Sequence, residues 1–199
     1  EAGHSVRALE LESALALGHD DREKGRFPQF LRSLGPQVEV KAADLTKPES
    51  LRGLLAGVDY VFHVAGLFSY SVPEDLLYQV NVEGSRHLLR EIQNSGGVKR
   101  LVAWGAGGVY GFAEGPLDED RPVHPVNPYL RSKAAQEELV RTVCREQGQS
   151  FAIVRPTTVY GPRAVYGGGQ LVMEMARQNL LMAPISFSAK IPFVHVKDV

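Results

Sequence analysis

A tyrosine and a lysine four residues apart, Tyr129 and Lys133, are the side chains of this sequence best suited to chemistry. They follow Asn127-Pro128 at a predicted helix start, and their spacing places both on one face, one turn apart. A free phenol titrates near pH ~10, but a neighbouring ammonium and a helix N-terminus both favour the phenolate and lower its pKa. The pair therefore predicts a proton shuttle between an alcohol and a carbonyl. The alternative is coincidence, because Tyr-x-x-x-Lys also occurs in helices where the lysine is simply solvated.

Composition limits the classes of function open to the chain. Its 199 residues are 44% hydrophobic and 23% charged, which is typical of one soluble domain, alone or with part of a second. A net charge of -1 gives no basis for binding nucleic acid or an anionic membrane. One cysteine, scattered histidines and no run of ~18 apolar residues argue against a disulfide, a metal site and a membrane span. We expect a cytoplasmic protein that acts on a small-molecule substrate.

Strand and helix signals alternate along the sequence. Strands are predicted at 6–9, 38–42, 59–64, 100–104, 151–154 and 191–199. Helices are predicted at 28–34, 46–57, 74–95, 127–147 and 170–178, with a loop at 11–25 and a capping box at 46–49. The alternation predicts an α/β fold, a Rossmann-like doubly wound parallel sheet with helices on both faces. Such sheets bind ligands beyond the carboxyl ends of their strands.

Candidate ligand contacts follow the predicted strands. Glu10 suits the two hydroxyls of a ribose and would repel a 2′-phosphate, or it is a solvated acid. Asp44 either meets an adenine amino group or belongs to the helix entry beside Thr46. Residues 64–66, Val-Ala-Gly, either let the backbone approach a flat ligand or form a tight turn. Asn81 stands inside a helix, where its propensity is poor, so it is either structural or part of a proton relay.

With these residues in order, the chain resembles the extended short-chain dehydrogenase/reductases, the NAD-dependent epimerase/dehydratase family. The resemblance spans nearly all 199 residues. The segments that carry it are 44–45, 61–66, 81–84, 109–111, Tyr129 with Lys133, 155–162 and 193–199. Each segment is weak evidence alone, but their order along the chain is specific.

The resemblance implies that Tyr129 is the general acid/base, and that Lys133 both stabilises the phenolate charge and donates to a cofactor ribose. It implies NAD as cofactor, and the carboxylate of Glu10 favours NAD over NADP. The residues that it assigns to cofactor binding are Glu10, Asp44, Leu45, Val64, Ala65, Gly66, Asn81, Lys133 and Pro156. His195 and Asp198 would lie on the substrate side, although a structural role is expected for both. A homodimer through helices 74–95 and 127–147 is a family expectation.

Two departures from the family pattern are expected to matter. The family's first strand and glycine-rich loop are missing before Gly3, so we expect an internal piece, truncated at both ends, that binds dinucleotide poorly. Residues 1–165 would form an incomplete dinucleotide-binding domain and 166–199 the start of a substrate-binding region. Ala106 stands where the family has a Ser or Thr that holds the substrate oxygen. Losing one such donor costs roughly 2.7–4 kcal/mol, or ~10²–10³ in rate.

The expected function is an NAD(P)-dependent oxidoreductase acting on a secondary alcohol or ketone. Thr158 stands where sugar-nucleotide members usually carry Asn, and segment 67–72 is aromatic. Both favour a steroid-, terpenoid- or flavonoid-type alcohol, as in the 3β-hydroxysteroid dehydrogenase and dihydroflavonol-reductase branches. The enzymatic alternative is a nucleotide-sugar epimerase or dehydratase. The alternative from another class is a non-catalytic dinucleotide-binding sensor, which Ala106 favours and the Tyr129/Lys133 pair opposes.

Overall fold

Parallel strands form the frame of the structure, a computed structural model that describes residues 3–18, 26–112, 115–162, 164, 174–178 and 192–199. The strands are β1 (Val6–Glu10), β2 (Val38–Ala42), β3 (Tyr60–His63), β4 (Arg100–Trp104), β5 (Phe151–Val154), β6 (Thr158–Tyr160) and β7 (Phe193–His195). β1 pairs with β2, β3 and β5 flank β4, and β6 pairs with β7. Every described pair is parallel, which confirms the predicted α/β, Rossmann-like architecture.

The helices confirm the predicted alternation but differ from it in detail. They are α1 (Glu12–Leu17), α2 (Arg26–Arg32), α3 (Pro48–Leu51), α4 (Glu74–Tyr78), α5 (Gly84–Ser95) and α6 (Pro128–Glu146). A π-helical turn, Gln79–Glu83, joins α4 to α5, so the predicted helix 74–95 is continuous. A 3₁₀ turn, Gly107–Tyr110, follows β4.

Three local predictions were wrong. The loop expected at 11–25 contains helix α1. The helix expected at 46–57 is only α3, and no capping box forms, because Asp44 accepts from both the N–H and the hydroxyl of Thr46. Strand β6 was not predicted. Of the helix expected at 170–178, residues 174–177 are helical, and 170–173 lie outside the described residues, as does most of 166–199.

The main core lies between the central sheet, β3-β4-β5, and helices α5 and α6. Its buried members are Leu55, Val61, Leu88, Leu89, Ile92, Leu101, Ala103, Val140 and Cys144. The single cysteine, Cys144, is fully buried in this core, as a packing role predicts. Register pairs His63 with Ala103 and Trp104 with Val154, so the carboxyl ends of all three strands meet at one edge.

No helix within the described ranges is long and apolar enough to cross a membrane.

Candidate active site

The start of α6 carries the two predicted catalytic side chains, and Asn127 and Pro128 determine where this helix begins. Asn127 caps the helix, because its side-chain oxygen accepts the Leu130 N–H at 2.9 Å, and Pro128 occupies the first turn, where no N–H is needed. Tyr129 and Lys133 therefore lie one turn apart on α6, and Lys133 reaches the end of β4, where its Nζ lies 2.6 Å from the Trp104 carbonyl oxygen.

The ring of Tyr129 is packed by two aromatic side chains that follow β3. Phe68 meets it edge-on with ring centroids 4.9 Å apart, and Tyr70 does so at 6.1 Å. Burial, and then the neighbouring Tyr70, raise the pKa of Tyr129 to about 12. The pKa that Lys133 and the helix start were expected to lower is therefore raised in this structure, and the prediction was wrong: burial of the ring disfavours the phenolate. At neutral pH Tyr129 is a neutral phenol, the form that donates a proton.

Lys133 is almost completely buried, with 5% of its surface exposed. Its ammonium donates to the carbonyl oxygen of Trp104 and to the side-chain oxygen of Gln136. Burial lowers its pKa to about 8, although Glu137 acts in the opposite direction. The ammonium is therefore mostly charged at pH 7. Two of its three N–H groups have acceptors among the described side chains and backbone, and the third suits a ligand oxygen.

Asn81 fixes the backbone that leaves β3. It lies in the π-helical turn, 1% exposed, and its side chain accepts the Leu67 N–H at 2.7 Å and donates to the Leu67 carbonyl at 3.0 Å. It also donates to Ser132, whose hydroxyl donates to the Tyr129 carbonyl. A side chain at Gly66 would come within 3.0 Å of the Asn81 oxygen. These contacts support the structural alternative for Asn81, and they link Gly66 to the Tyr129 helix.

A second polar group, His63 with Ser85 and Gln136, was not found from the sequence. His63 Nε2 lies 2.7 Å from Ser85 Oγ and 3.0 Å from Gln136 Nε2, and all three side chains are buried. Burial, and then the Lys133 charge, lower the pKa of His63 to about 3, so it is neutral. The available signals were a histidine inside an apolar strand and a glutamine three residues after Lys133.

The depressed pKa of His63 makes stability depend on pH. A histidine in the unfolded chain titrates near ~6.5. Below that pH, this histidine is protonated in the unfolded chain but stays neutral in the folded protein. Its contribution to stability is therefore lost as pH falls towards 3. The slope reaches about 1.4 kcal/mol per pH unit, which gives roughly 2 kcal/mol between pH 6.5 and pH 5. Urea unfolding of the full chain at both pH values measures this loss.

Two variants isolate the contribution of His63 to that loss. His63→Gln removes the titrating group and should remove about 2 kcal/mol of the loss between pH 6.5 and pH 5. His124→Gln changes an exposed histidine outside the buried group and should leave the loss as in wild type. Equal losses in wild type and His63→Gln would contradict the assignment.

The loop after β4 is held by a buried ion pair. Arg155 Nε and Nη2 both lie 2.8 Å from Glu137 Oε2, and Arg155 Nη1 donates to the Tyr110 hydroxyl at 2.6 Å. The other Glu137 oxygen accepts the Ala106 N–H at 3.4 Å, and a side chain at Gly105 would collide with it. These contacts place Ala106 at the sheet edge that the Lys133 side chain reaches, and Ala106 brings no hydroxyl there.

The remaining predicted cofactor residues lie at strand ends. Glu10 ends β1 and accepts the Leu11 N–H at 2.7 Å. Asp44 caps the turn at Thr46, which favours the helix-entry alternative, and its bonds to Thr46 lower its pKa.

The backbone carbonyls of the other two predicted cofactor residues have partners within the protein. The Leu45 carbonyl lies 2.8 Å from His87 Nδ1, and the Pro156 carbonyl accepts the Gly107 N–H. The contacts above connect Tyr129, Lys133 and Asn81. Glu10 lies in the separate β1–β2 pair, and Asp44 follows the end of β2.

The strand ends fit a dinucleotide. Val64 is 56% exposed directly after β3, and Ala65 and Gly66 are exposed too, so backbone and small side chains face open space there. Lys133 offers a spare N–H at the neighbouring strand. No group of three metal-ligating side chains occurs in the part of the chain that the structure describes.

Comparison with known proteins gives one consistent family. The sequence profile of the NAD dependent epimerase/dehydratase family matches residues 3–199. The chain is 31% identical over 178 residues to N-acetyl-alpha-D-glucosaminyl-diphospho-ditrans,octacis-undecaprenol 4-epimerase of Escherichia coli O157:H7, covering 86% of the chain and 51% of that protein. It is 28% identical to dihydroflavonol 4-reductase of Hordeum vulgare, covering 100% of the chain and 59% of that protein.

The fold has a close counterpart among solved structures. A mutant of UDP-glucuronic acid 4-epimerase from Bacillus cereus, in complex with UDP-4-deoxy-4-fluoro-glucuronic acid and NAD, superposes with a TM-score of 0.84. The match covers 99% of the chain and 63% of that structure, at 19% identity. The chain spans roughly half the length of the curated relatives it matches.

Proposed function

Because the chain belongs to the NAD dependent epimerase/dehydratase family, whose cofactor is NAD, we propose that it is an oxidoreductase acting on a secondary alcohol or ketone. The observation that carries the proposal is the start of α6. There, Tyr129 is a neutral phenol beside exposed aromatic rings, and Lys133 is a buried ammonium with one N–H to spare. The neutral phenol would give its proton to a carbonyl oxygen, and the reverse reaction would need the phenolate.

Tyr129 would move the proton of the reaction. Its phenol donates to the oxygen of a carbonyl substrate, or, as phenolate, takes the proton of an alcohol. Lys133 would bind a ribose hydroxyl and stabilise the phenolate charge as it forms. NAD, when bound, supplies the acceptor for the hydride from the alcohol carbon. Ala106 contributes no hydroxyl, so the substrate oxygen would depend on Tyr129 and on water or a group of its own.

The aromatic surroundings of Tyr129 support an apolar, ring-containing substrate. Phe68 is 48% exposed and Tyr70 69% exposed, so both present ring surface beside the phenol. Aromatic faces and edges bind flat apolar rings by burial and by edge-to-face contact. A steroid-, terpenoid- or flavonoid-type alcohol matches this surface better than a sugar does. The likeness to a dihydroflavonol 4-reductase supports the same class.

A second candidate is a 4-epimerase or dehydratase acting on a nucleotide sugar. It is favoured by the identity of 31% to an epimerase whose substrate carries its sugar on a diphosphate. The same Tyr129 and Lys133 would act, because epimerisation at a carbinol carbon begins with the same removal of a proton and a hydride.

The remaining cofactor assignments are part of the proposal. Glu10 would bind the adenosine ribose and favour NAD over NADP, and Asp44 and Leu45 would lie beside the adenine. Residues 64–66 and Pro156 would line the nicotinamide end. The helices at 74–95 and 127–147 would also form the interface of a homodimer.

A substrate panel with two matched variants tests the substrate class. The full chain is given NAD and either hydroxysteroid and flavanol alcohols or UDP-sugars, and NADH and epimer formation are followed. We expect oxidation of the apolar alcohols, and we expect Phe68→Ala to lower kcat/KM for them about 10-fold. Phe112→Ala removes a ring that is 95% exposed and should change nothing.

The other outcomes decide between the alternatives. Epimer formation from a UDP-sugar, with no oxidation of apolar alcohols, would replace the leading proposal by the second candidate. Binding of NAD without turnover of any panel member would instead support the non-catalytic sensor.

A further inference from the structure

Three buried polar side chains, Gln136, Ser85 and His63, lie beside Lys133. They are 2%, 0% and 4% exposed. Polar groups are buried at a cost unless each finds a partner, so their hydrogen bonds show what the group does. The proton transfer proposed above uses none of the three directly.

The charge on Lys133 fixes the direction of these hydrogen bonds. An ammonium only donates, so Gln136 must present its side-chain oxygen to Lys133. The amide nitrogen of Gln136 then points away from Lys133, where it donates to Ser85 Oγ at 2.7 Å and lies 3.0 Å from His63 Nε2. Ser85 in turn donates to the Asn81 carbonyl at 2.6 Å. The amide of Gln136 is therefore held from both sides.

We propose that Gln136 is a positioning residue, which holds the Lys133 ammonium against the Trp104 carbonyl at the end of β4 while Ser85 and His63 orient its amide. A lysine side chain is a flexible stem of four carbons, so a single carbonyl acceptor would still allow its ammonium to take several positions. Two fixed acceptors determine the direction of the remaining N–H. The proposal depends on the proposed function only for the identity of the ligand that this N–H meets.

Among the described residues, the titratable and charged groups near Lys133 are neutral or bonded to other partners, and Gln136 is the side chain that accepts from its ammonium. His63, on β3, is neutral. Glu137, the next residue on α6, gives its carboxylate to Arg155 and to the Ala106 N–H. Arg155, after β5, is bound by that carboxylate and by the Tyr110 hydroxyl.

Two substitutions of Gln136 with opposite expected effects test the proposal. The full chain, labelled with ¹⁵N-lysine, is titrated without cofactor, and the Lys133 Nζ resonance gives its titration midpoint. Gln136→Met keeps the length of the side chain but removes the acceptor, so the midpoint should fall by about one pH unit. Gln136→Glu keeps an acceptor and adds a negative charge, so the midpoint should rise above wild type. Non-specific damage to the fold would not move the two in opposite directions.

A control and two contrary results complete the test. Gln147→Met, at the exposed end of α6, removes a hydrogen bond to Gln93 and should leave the Lys133 midpoint unchanged. An unchanged midpoint in folded Gln136→Met, or a shift in the same direction for both variants, would overturn the proposal. If circular dichroism shows Gln136→Met unfolded, Gln136→Glu decides alone: a midpoint at or below wild type overturns it.

This readout is separate from the test of the proposed function. The titration needs neither NAD nor substrate, so a chain without turnover would refute the reaction and leave Gln136 as assigned. Conversely, an unmoved midpoint would refute the role of Gln136 and leave the reaction standing.

Discussion

Replacing Tyr129 by Phe should lower turnover by ~10²–10⁴-fold, the usual contribution of a general acid/base. The fold should be retained, because the new ring keeps the edge-on packing with Phe68 and Tyr70. NAD affinity should also be retained, because Lys133 keeps both of its acceptors, Trp104 and Gln136. Steady-state kinetics of the full chain on its best panel substrate, with calorimetric titration of NAD, measure the two effects separately.

Tyr70→Phe is the matched control for that variant. It removes the same hydroxyl from a ring 6.1 Å away and should keep most of the turnover. Ala106→Ser adds the hydroxyl that the family pattern has at this position and this chain lacks, and should raise turnover by up to ~10²–10³-fold. Equal loss in Tyr129→Phe and Tyr70→Phe would contradict the assignment of Tyr129, and so would an active Tyr129→Phe.

Glu137→Leu should destabilise the fold by about 3 kcal/mol, the lower end of the range for a buried pair, because it leaves a largely buried guanidinium without its counter-charge. The side chain of Glu137 is 3% exposed and that of Arg155 14%, so water cannot replace the lost partner well. The Ala106 N–H and two Arg155 nitrogens lose their acceptor in the same substitution. Urea unfolding of the full chain gives the change in the free energy of unfolding.

Glu138→Leu is the control for that loss. It removes an ion pair with Arg141 from the same helix, but the Glu138 side chain is 69% exposed, so the expected cost is below ~1 kcal/mol. The double variant Glu137→Leu/Arg155→Met removes both buried charges and should recover much of the stability. If Glu137→Leu costs no more than Glu138→Leu, the buried pair does not hold the loop after β4.

The order of strands and helices could be predicted because its signals are local. Strands 38–42, 100–104 and 151–154 were predicted with their observed bounds, from short apolar runs between turn residues. Helix α1 was missed because its N-cap residue, Leu11, offers no side-chain cap. The capping box at Thr46 was wrong for a related reason. Asp44, two residues earlier, accepts the Thr46 N–H that the side chain of Glu49 would accept in a capping box.

The candidate site could be predicted only in part. Tyr129 and Lys133 were found from their spacing, which one helix turn converts directly into proximity. The predicted pKa of Tyr129 was wrong because Phe68 and Tyr70, which pack on its ring, lie some 60 residues away in sequence. The residues of α6 themselves do not indicate that contact. The role of Gln136 was not predicted because its partners, Ser85 and His63, are 51 and 73 residues away in sequence.

The π-helical turn at 79–83 has a consequence for how the sequence tolerates length changes. A π turn is equivalent to an α-helix with one additional residue, so deleting one there would restore a regular helix. The segments on either side would keep their mutual orientation, because the π turn accommodates its extra residue locally. The widened turn that holds Asn81 against Leu67 and Ser132 would be lost, however. A single-codon deletion at 79–83 should therefore leave the packing of α4 and α5 largely intact and release the backbone that leaves β3.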